Sequence, residues 1–167
     1  MYHVESNFTY PKMYKVRQHL NSEKLADINK TVYDELDAIG IGEKIKKDSE
    51  LAVCAGSRGI NNIDKIVKAA VDYVKDHGGK PFIVPAMGSH GGATADGQIH
   101  VLEKYGISEE TMGCEIRSDM EPVYLGDAEN GAPVYFDKNA YGAAGIIVVN
   151  RVKPHTDFLA ENESGVV

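Results

Sequence analysis

The chain has 167 residues, 43% of them hydrophobic and 26% charged, with 17 glycines and a formal net charge of −7, which suits one compact soluble domain. The acidic balance speaks against a general affinity for nucleic acid, whose phosphates call for clustered Lys and Arg, and makes small molecules the expected ligands. Met1 to Tyr10 carries no apolar stretch and no later run approaches the ~18 apolar residues a membrane span needs, so a cytoplasmic protein with neither membrane nor nucleic-acid partners is expected.

Lys12 to His19 alternate loosely between apolar and polar residues and lead into Asn21-Ser22, which predicts an early strand feeding a helix N-cap. From Glu23 to Ile39, the residues Leu25, Ile28, Val32, Leu36 and Ile39 recur at steps of three and four, one face of a helix that stops at Gly40. Leu51 to Ala55 is a short apolar run broken by Gly56-Ser57-Arg58-Gly59. Ile60, Ile63, Ile66, Val67, Ala70, Val71 and Val74 then mark a second amphipathic helix, closed by Gly78-Gly79. The unit repeats: Pro81 to Pro85 is a buried strand, Gly88 to Gly92 a turn, and Thr94 to Tyr105 a shorter helix ending at Gly106. Two strands joined by a right-handed helical crossover lie parallel, which brings the 56–59 and 88–92 turns to one edge of the sheet.

After Gly113 the character changes. Cys114 to Arg117, Val123 to Leu125 and Val134 to Phe136 are β-prone pieces around Asn130-Gly131, a strong hairpin signal. Ile146 to Val149 is an unbroken β-branched run, suited to a strand covered on both faces. The expected fold is α/β: a mostly parallel sheet with helices on both faces, plus a short β-hairpin segment near 114–136. Glu163 to Val167 reads as the opening of a further apolar element, so residues 1–167 are expected to form a single α/β domain at the amino-terminal end of a longer protein.

Two histidines stand in polar turns directly after apolar runs, His90 in Gly88-Ser89-His90-Gly91-Gly92 and His155 in Lys153-Pro154-His155-Thr156-Asp157. Open α/β sheets bind ligands at the carboxyl ends of their strands, so the two could meet in one crevice. An imidazole gives or takes a proton near neutral pH, and the small residues around His90 leave room for a ligand; Thr156 or Asp157 is placed to orient His155. The plainer reading of each is a histidine bonded within its own loop. His3, His19, His77 and His100 lack such punctuation and are expected on the surface or in packing roles.

Gly56-Ser57-Arg58-Gly59, read as a helix start, offers backbone N–H groups, a hydroxyl and a guanidinium to a phosphate or carboxylate; the plainer reading is a tight βα turn with a solvated Arg58. The chain has no Walker loop and no G-x-G-x-x-G between a strand and a helix. Cys54 and Cys114 lie far apart without metal-ligand spacing and read as buried thiols. A nucleophile built from Ser89 or Cys54 with His90 is the poorer option, because adjacent side chains point apart and Cys54 precedes the turn.

Met87-Gly88-Ser89-His90-Gly91-Gly92-Ala93-Thr94, together with Asn150-Arg151-Val152-Lys153-Pro154-His155-Thr156-Asp157, Gly56-Ser57-Arg58-Gly59-Ile60 and Glu163-Ser164-Gly165, resembles the amino-terminal domain of the nickel-dependent lactate racemase family. The resemblance spans nearly the whole chain. It implies a two-domain enzyme in which a nickel-pincer nucleotide lies between the domains and 2-hydroxy acids are racemised or epimerised by hydride transfer. It assigns His90 and His155 to the two acid/base positions, one for each enantiomer's hydroxyl, with roles that swap in reverse. It places Ser57, Arg58 and Gly59 beside the cofactor, with Arg58 suited to the substrate carboxylate.

This chain departs from the lactate racemases in carrying Gly56-Ser57 and Gly59 where they have an aspartate and a proline around the arginine. It also has Thr156-Asp157 where they have apolar and aromatic residues. Both differences imply a longer or more polar hydroxy acid, such as a dicarboxylate or sugar acid. The family's cofactor-linking lysine and nickel-ligand histidine would follow Gly165, so residues 1–167 hold no expected metal ligand. By themselves they are expected to bind no cofactor and to be inactive; the implied partners are a 2-hydroxy acid and a carboxy-terminal domain of the same chain. The alternative is a non-catalytic binding module that holds an anionic metabolite through Arg58 and the strand-end loops.

Overall fold

The computed structural model describes residues 11–19, 23–57, 59–153 and 159. The first helix, α1 (Ile28–Ala38), begins where the Asp27 carboxylate accepts the Lys30 backbone N–H, the usual way an N-cap satisfies an otherwise orphaned donor. The helix therefore starts five residues later than the apolar spacing suggests, and Leu25 is exposed. Residues 11–19 form neither strand nor helix. Met13, Tyr14 and Val16 stand in solvent, because alternation makes a strand only where a partner strand receives it.

Next come β1 (Glu50–Ala55), α2 (Ile63–Asp76), β2 (Lys80–Pro85) and α3 (Ala95–Lys104), the two strand-turn-helix units expected from the periodicity. A short α4 (Glu109–Met112) is opened by a reciprocal capping box between Ser108 and Thr111. The hairpin β3 (Pro122–Asp127) and β4 (Pro133–Asp137) follows, then α5 (Lys138–Gly142) and β5 (Gly145–Val149).

The sheet has the order β2-β1-β5 and is parallel throughout, with Ala55 opposite both Pro85 and Val149. The β-prone piece at 114–117 contributes one parallel bridge, Ile83 to Ile116, on the outer side of β2. The hairpin stands apart as a two-stranded antiparallel sheet turning through Ala128–Gly131.

Helices cover both faces. On one, Val53, Ala55 and Ile83 pack against Val67, Ala70 and Val71 of α2, with Leu102, Ile107 and Met112 beside them. On the other, Ala52, Cys54, Phe82 and Val84 pack against Ala140 of α5, and the Arg117 guanidinium lies 4.0 Å over the Phe82 ring. Burial raises the Cys54 thiol to about 11, with Asp137 adding to it, and burial raises Cys114 as well; both thiols behave as packing groups.

The double coverage expected of β5 does not hold. Ile146 is 40% and Val148 43% exposed, because β5 is the edge strand beyond β1 and the core on the α5 face gathers side chains of β1 and β2. Among the described residues no helix is long and apolar enough to cross a membrane.

Two phenols fasten α1 to α2. Tyr73 donates to the Asp37 carboxylate at 2.6 Å, and Tyr33 donates to Asp76 at 2.7 Å; the two rings meet edge to face at 5.1 Å, and the His77 ring lies 4.1 Å from that of Tyr73. Burial first and the neighbouring carboxylates second hold both phenols protonated beyond their ordinary range. The unfolded chain begins to ionise these tyrosines near pH ~10 while the fold still resists. Their contribution is complete below that pH and is lost as pH rises through the raised folded-state values. The urea midpoint is therefore expected to fall above pH ~10, and to fall less steeply in a Tyr33→Phe, Tyr73→Phe chain.

Candidate functional site at the carboxyl edge of the sheet

Because β1, β2 and β5 are parallel neighbours, the turns that follow them leave from one edge. The backbone stitches those turns together: Gly56 N–H donates to Val149 O at 3.0 Å, and Ala86 N–H donates to Ala55 O at 2.8 Å. A Cβ at Gly56 would sit 3.0 Å from Val149 O, a tight contact that favours glycine where β1 and β5 approach here. Contrary to expectation, Gly56, Ser57 and Gly59 do not open a helix, and α2 begins at Ile63. The α2 helix is preceded by Asn62 in the left-handed region, and the Gly56 N–H already serves the sheet. The described residues of this turn therefore offer no helix-terminal row of N–H donors.

His90 is half-buried in the turn after β2. The turn is held from beneath by α3. Gln98, only 5% exposed, donates its Nε2 to Gly88 O at 2.8 Å, and Thr94 donates to Gly91 O at 3.1 Å while capping Gly97 N. Gly91 has φ +66 and lies backbone to backbone against Gly97, where no side chain fits on either residue. Removing the Gln98 amide would strand the Gly88 carbonyl. Gln98→Leu is thus expected to cost about 0.5–1.5 kcal/mol, read as a lower denaturant midpoint with unchanged slope.

The structure joins two of the five expected site residues directly. Ser57 Oγ and His90 Nδ1 lie 2.6 Å apart, a half-buried hydrogen bond between residues 33 positions apart in sequence. The hydroxyl bonded to His90 Nδ1 is thus that of Ser57, from the neighbouring strand's turn. Beside His90 a groove of about 460 Å³ is lined by Gly91, Val101, Lys104 and Tyr105. A larger groove, about 930 Å³, runs between Asp27, Asn62, Lys65 and Thr111 and shares no residue with the His90 turn.

Gly59, the third expected residue, is exposed, and its carbonyl accepts from Arg151 Nη1 at 2.7 Å. Lys153 Nζ also comes within 3.9 Å of where a Gly59 Cβ would stand. Arg151 ties the segment after β5 to the turn after β1 and Lys153 stands close by, and sequence reasoning passed both over as site residues. The available signal was their place within four residues of a strand end in a parallel sheet. Arg58 and His155 lie outside the described residues.

The edge therefore assembles an imidazole held by a hydroxyl and two cationic side chains, a donor set that suits a carboxylate or a phosphate. Among the described residues no three His, Cys, Asp or Glu side chains are placed to share a metal ion. His77 packs on Tyr73, and His100 lies on the surface beside Glu103. No protein-family model, no curated protein and no solved structure matches this chain.

Proposed function

We propose that this chain is the amino-terminal domain of a 2-hydroxy-acid racemase or epimerase similar to the nickel-dependent lactate racemases. His90 and His155 serve as its acid/base pair. The observation that supports this most is the Ser57–His90 hydrogen bond at the edge where β5, the strand leading to His155, also ends. An imidazole held on a rigid turn at a strand-end crevice is what proton transfer to a small ligand needs.

The donor set at the edge fits the implied cofactor: Arg151 and Lys153 suit the phosphate of a nucleotide, with Gly59 leaving the approach uncrowded. When bound, the nickel-pincer nucleotide supplies a hydride acceptor for the Cα hydrogen. The chain's own part is then to hold the substrate anion, to exclude water, and to take the hydroxyl proton at His90 for one enantiomer and at His155 for the other. The polar residues around both histidines favour a dicarboxylate or sugar acid over lactate.

The test uses the full-length protein charged with the nickel nucleotide and single enantiomers of Cα-deuterated hydroxy acids, from lactate to sugar acids. Inversion with deuterium kept at Cα is expected, since the hydrogen leaves and returns as hydride. Deuterium lost to solvent would replace hydride transfer by simple deprotonation, and no inversion across the panel would overturn the reading.

A second reading, a non-catalytic module for an anionic metabolite, draws on Arg151 and Lys153 beside Gly59. Undiminished ligand affinity in a His90→Ala, His155→Ala variant, with no turnover in the parent, would favour it.

A further inference from the structure

We propose that Lys104 is a specificity-determining residue that holds a second carboxylate of the ligand, so that the acid taken beside His90 is a 2-hydroxy dicarboxylate with a plain methylene chain and not a sugar acid. The proposal rests on the reading of this edge as a hydroxy-acid site and narrows its substrate class.

The groove of about 460 Å³ beside the His90 turn is lined by His90, Gly91, Val101, Lys104 and Tyr105. Lys104 brings an ammonium to it and no carboxylate lines it, so its field suits an anion. That ammonium is not spent within the protein. Lys30, Lys68, Lys80 and Lys138 each pair with an aspartate or glutamate, whereas Lys104 makes no ion pair among the described residues. The residues three and four positions before it on α3, Val101 and His100, are not carboxylates, so the usual helical partner is missing. The adjoining Glu103 is engaged with His100 at 3.4 Å. A cation in the last turn also suits the dipole of α3, but that role is indifferent to which acid is bound.

The remaining walls decide what joins the two ends of the ligand. Val101 and the half-buried Tyr105 pack against the core on one side and line the groove on the other, presenting aliphatic and aromatic surface, and Gly91 adds no side chain. Methylenes lie against such a surface without loss. The hydroxyls of a sugar acid would give up water there for fewer partners than they need. One cation at the end of a largely apolar groove is the usual pattern by which a pocket fixes the orientation of a small ligand.

The test titrates the ¹⁵N-labelled 167-residue chain with three acids of equal carbon number: 2-hydroxyglutarate, 2-hydroxypentanoate and ribonate. 2-Hydroxyglutarate is expected to move the backbone amides of Gly91, Val101 and Tyr105 and to bind about tenfold tighter than either monocarboxylate, the effect of one charge-assisted hydrogen bond. Lys104→Gln is expected to remove that advantage while the spectrum without ligand stays in place away from the substitution, and Lys104→Arg to keep it. Equal binding of the three acids, an advantage that survives in Lys104→Gln, shifts that leave those amides unmoved, or no binding of 2-hydroxyglutarate would each overturn the proposal. Because the readout is affinity and not turnover, a charged enzyme that inverts no acid would count against the proposed function and leave the Lys104 preference standing. Inversion by the charged enzyme, with a preference among acids that Lys104→Gln does not move, would leave the function standing and remove the role of Lys104.

Discussion

Gly97→Ala is expected to lower the stability of the chain by about 1–3 kcal/mol and to loosen the turn that carries His90. A Cβ at Gly97 would drive into the Gly91 carbonyl and lie 2.7 Å from Thr94 Oγ1, the atom that both caps α3 and bonds Gly91 O. The neighbour is backbone on one side and a committed hydroxyl on the other, so nothing flexible gives way. The reverse substitution is no easier: Gly91 lies in the left-handed region and a Cβ there would sit 2.6 Å from Gln98 N. The change is read as a lower denaturant midpoint at unchanged slope, together with a shifted His90 ring spectrum. Gly142→Ala serves as the control, since nothing lies within 4 Å of its Cβ position at the end of α5, and it should be neutral or slightly stabilising. A Gly97→Ala chain as stable as its parent would mean that the turn is not built on that close approach.

What could be read from sequence, and what could not, follows from which signals are local. β1, α2, β2 and α3 were legible because period and punctuation agree: Leu51 to Ala55 meets Gly56, and Val67, Ala70, Val71 and Val74 share one face of α2. Asn130-Gly131 marked the hairpin for the same reason. Lys12 to His19 looked like a strand because alternation is a local pattern, whereas the partner strand it requires is not. The exposure of Ile146 and Val148 was equally hidden, since β-branched composition is the same at a sheet's centre and at its edge. At the site, glycines and a histidine announced the turn after β2. Gln98 and Gly97 did not stand out, because an α3 residue that bonds or abuts the loop beneath it breaks no helical pattern. The Ser57–His90 bond spans 33 positions. Only the parallel register of β1 and β2 brings those turns together, and that register was a topological expectation, while the choice of serine as the partner was not.

The central claim is that the imidazole of His90 moves the substrate's hydroxyl proton. The most direct measurement compares the charged full-length enzyme with its His90→Asn variant on both enantiomers of one accepted 2-hydroxy acid. Asparagine keeps a polar side chain next to Ser57 but has no titrating nitrogen. On the proposed roles, with each histidine a base in one direction and an acid in the other, the maximal rates from both enantiomers should fall together. The expected loss is about 10²–10⁴-fold, with substrate affinity changed far less. Rates that survive the substitution, or that fall from one enantiomer only, would contradict the account.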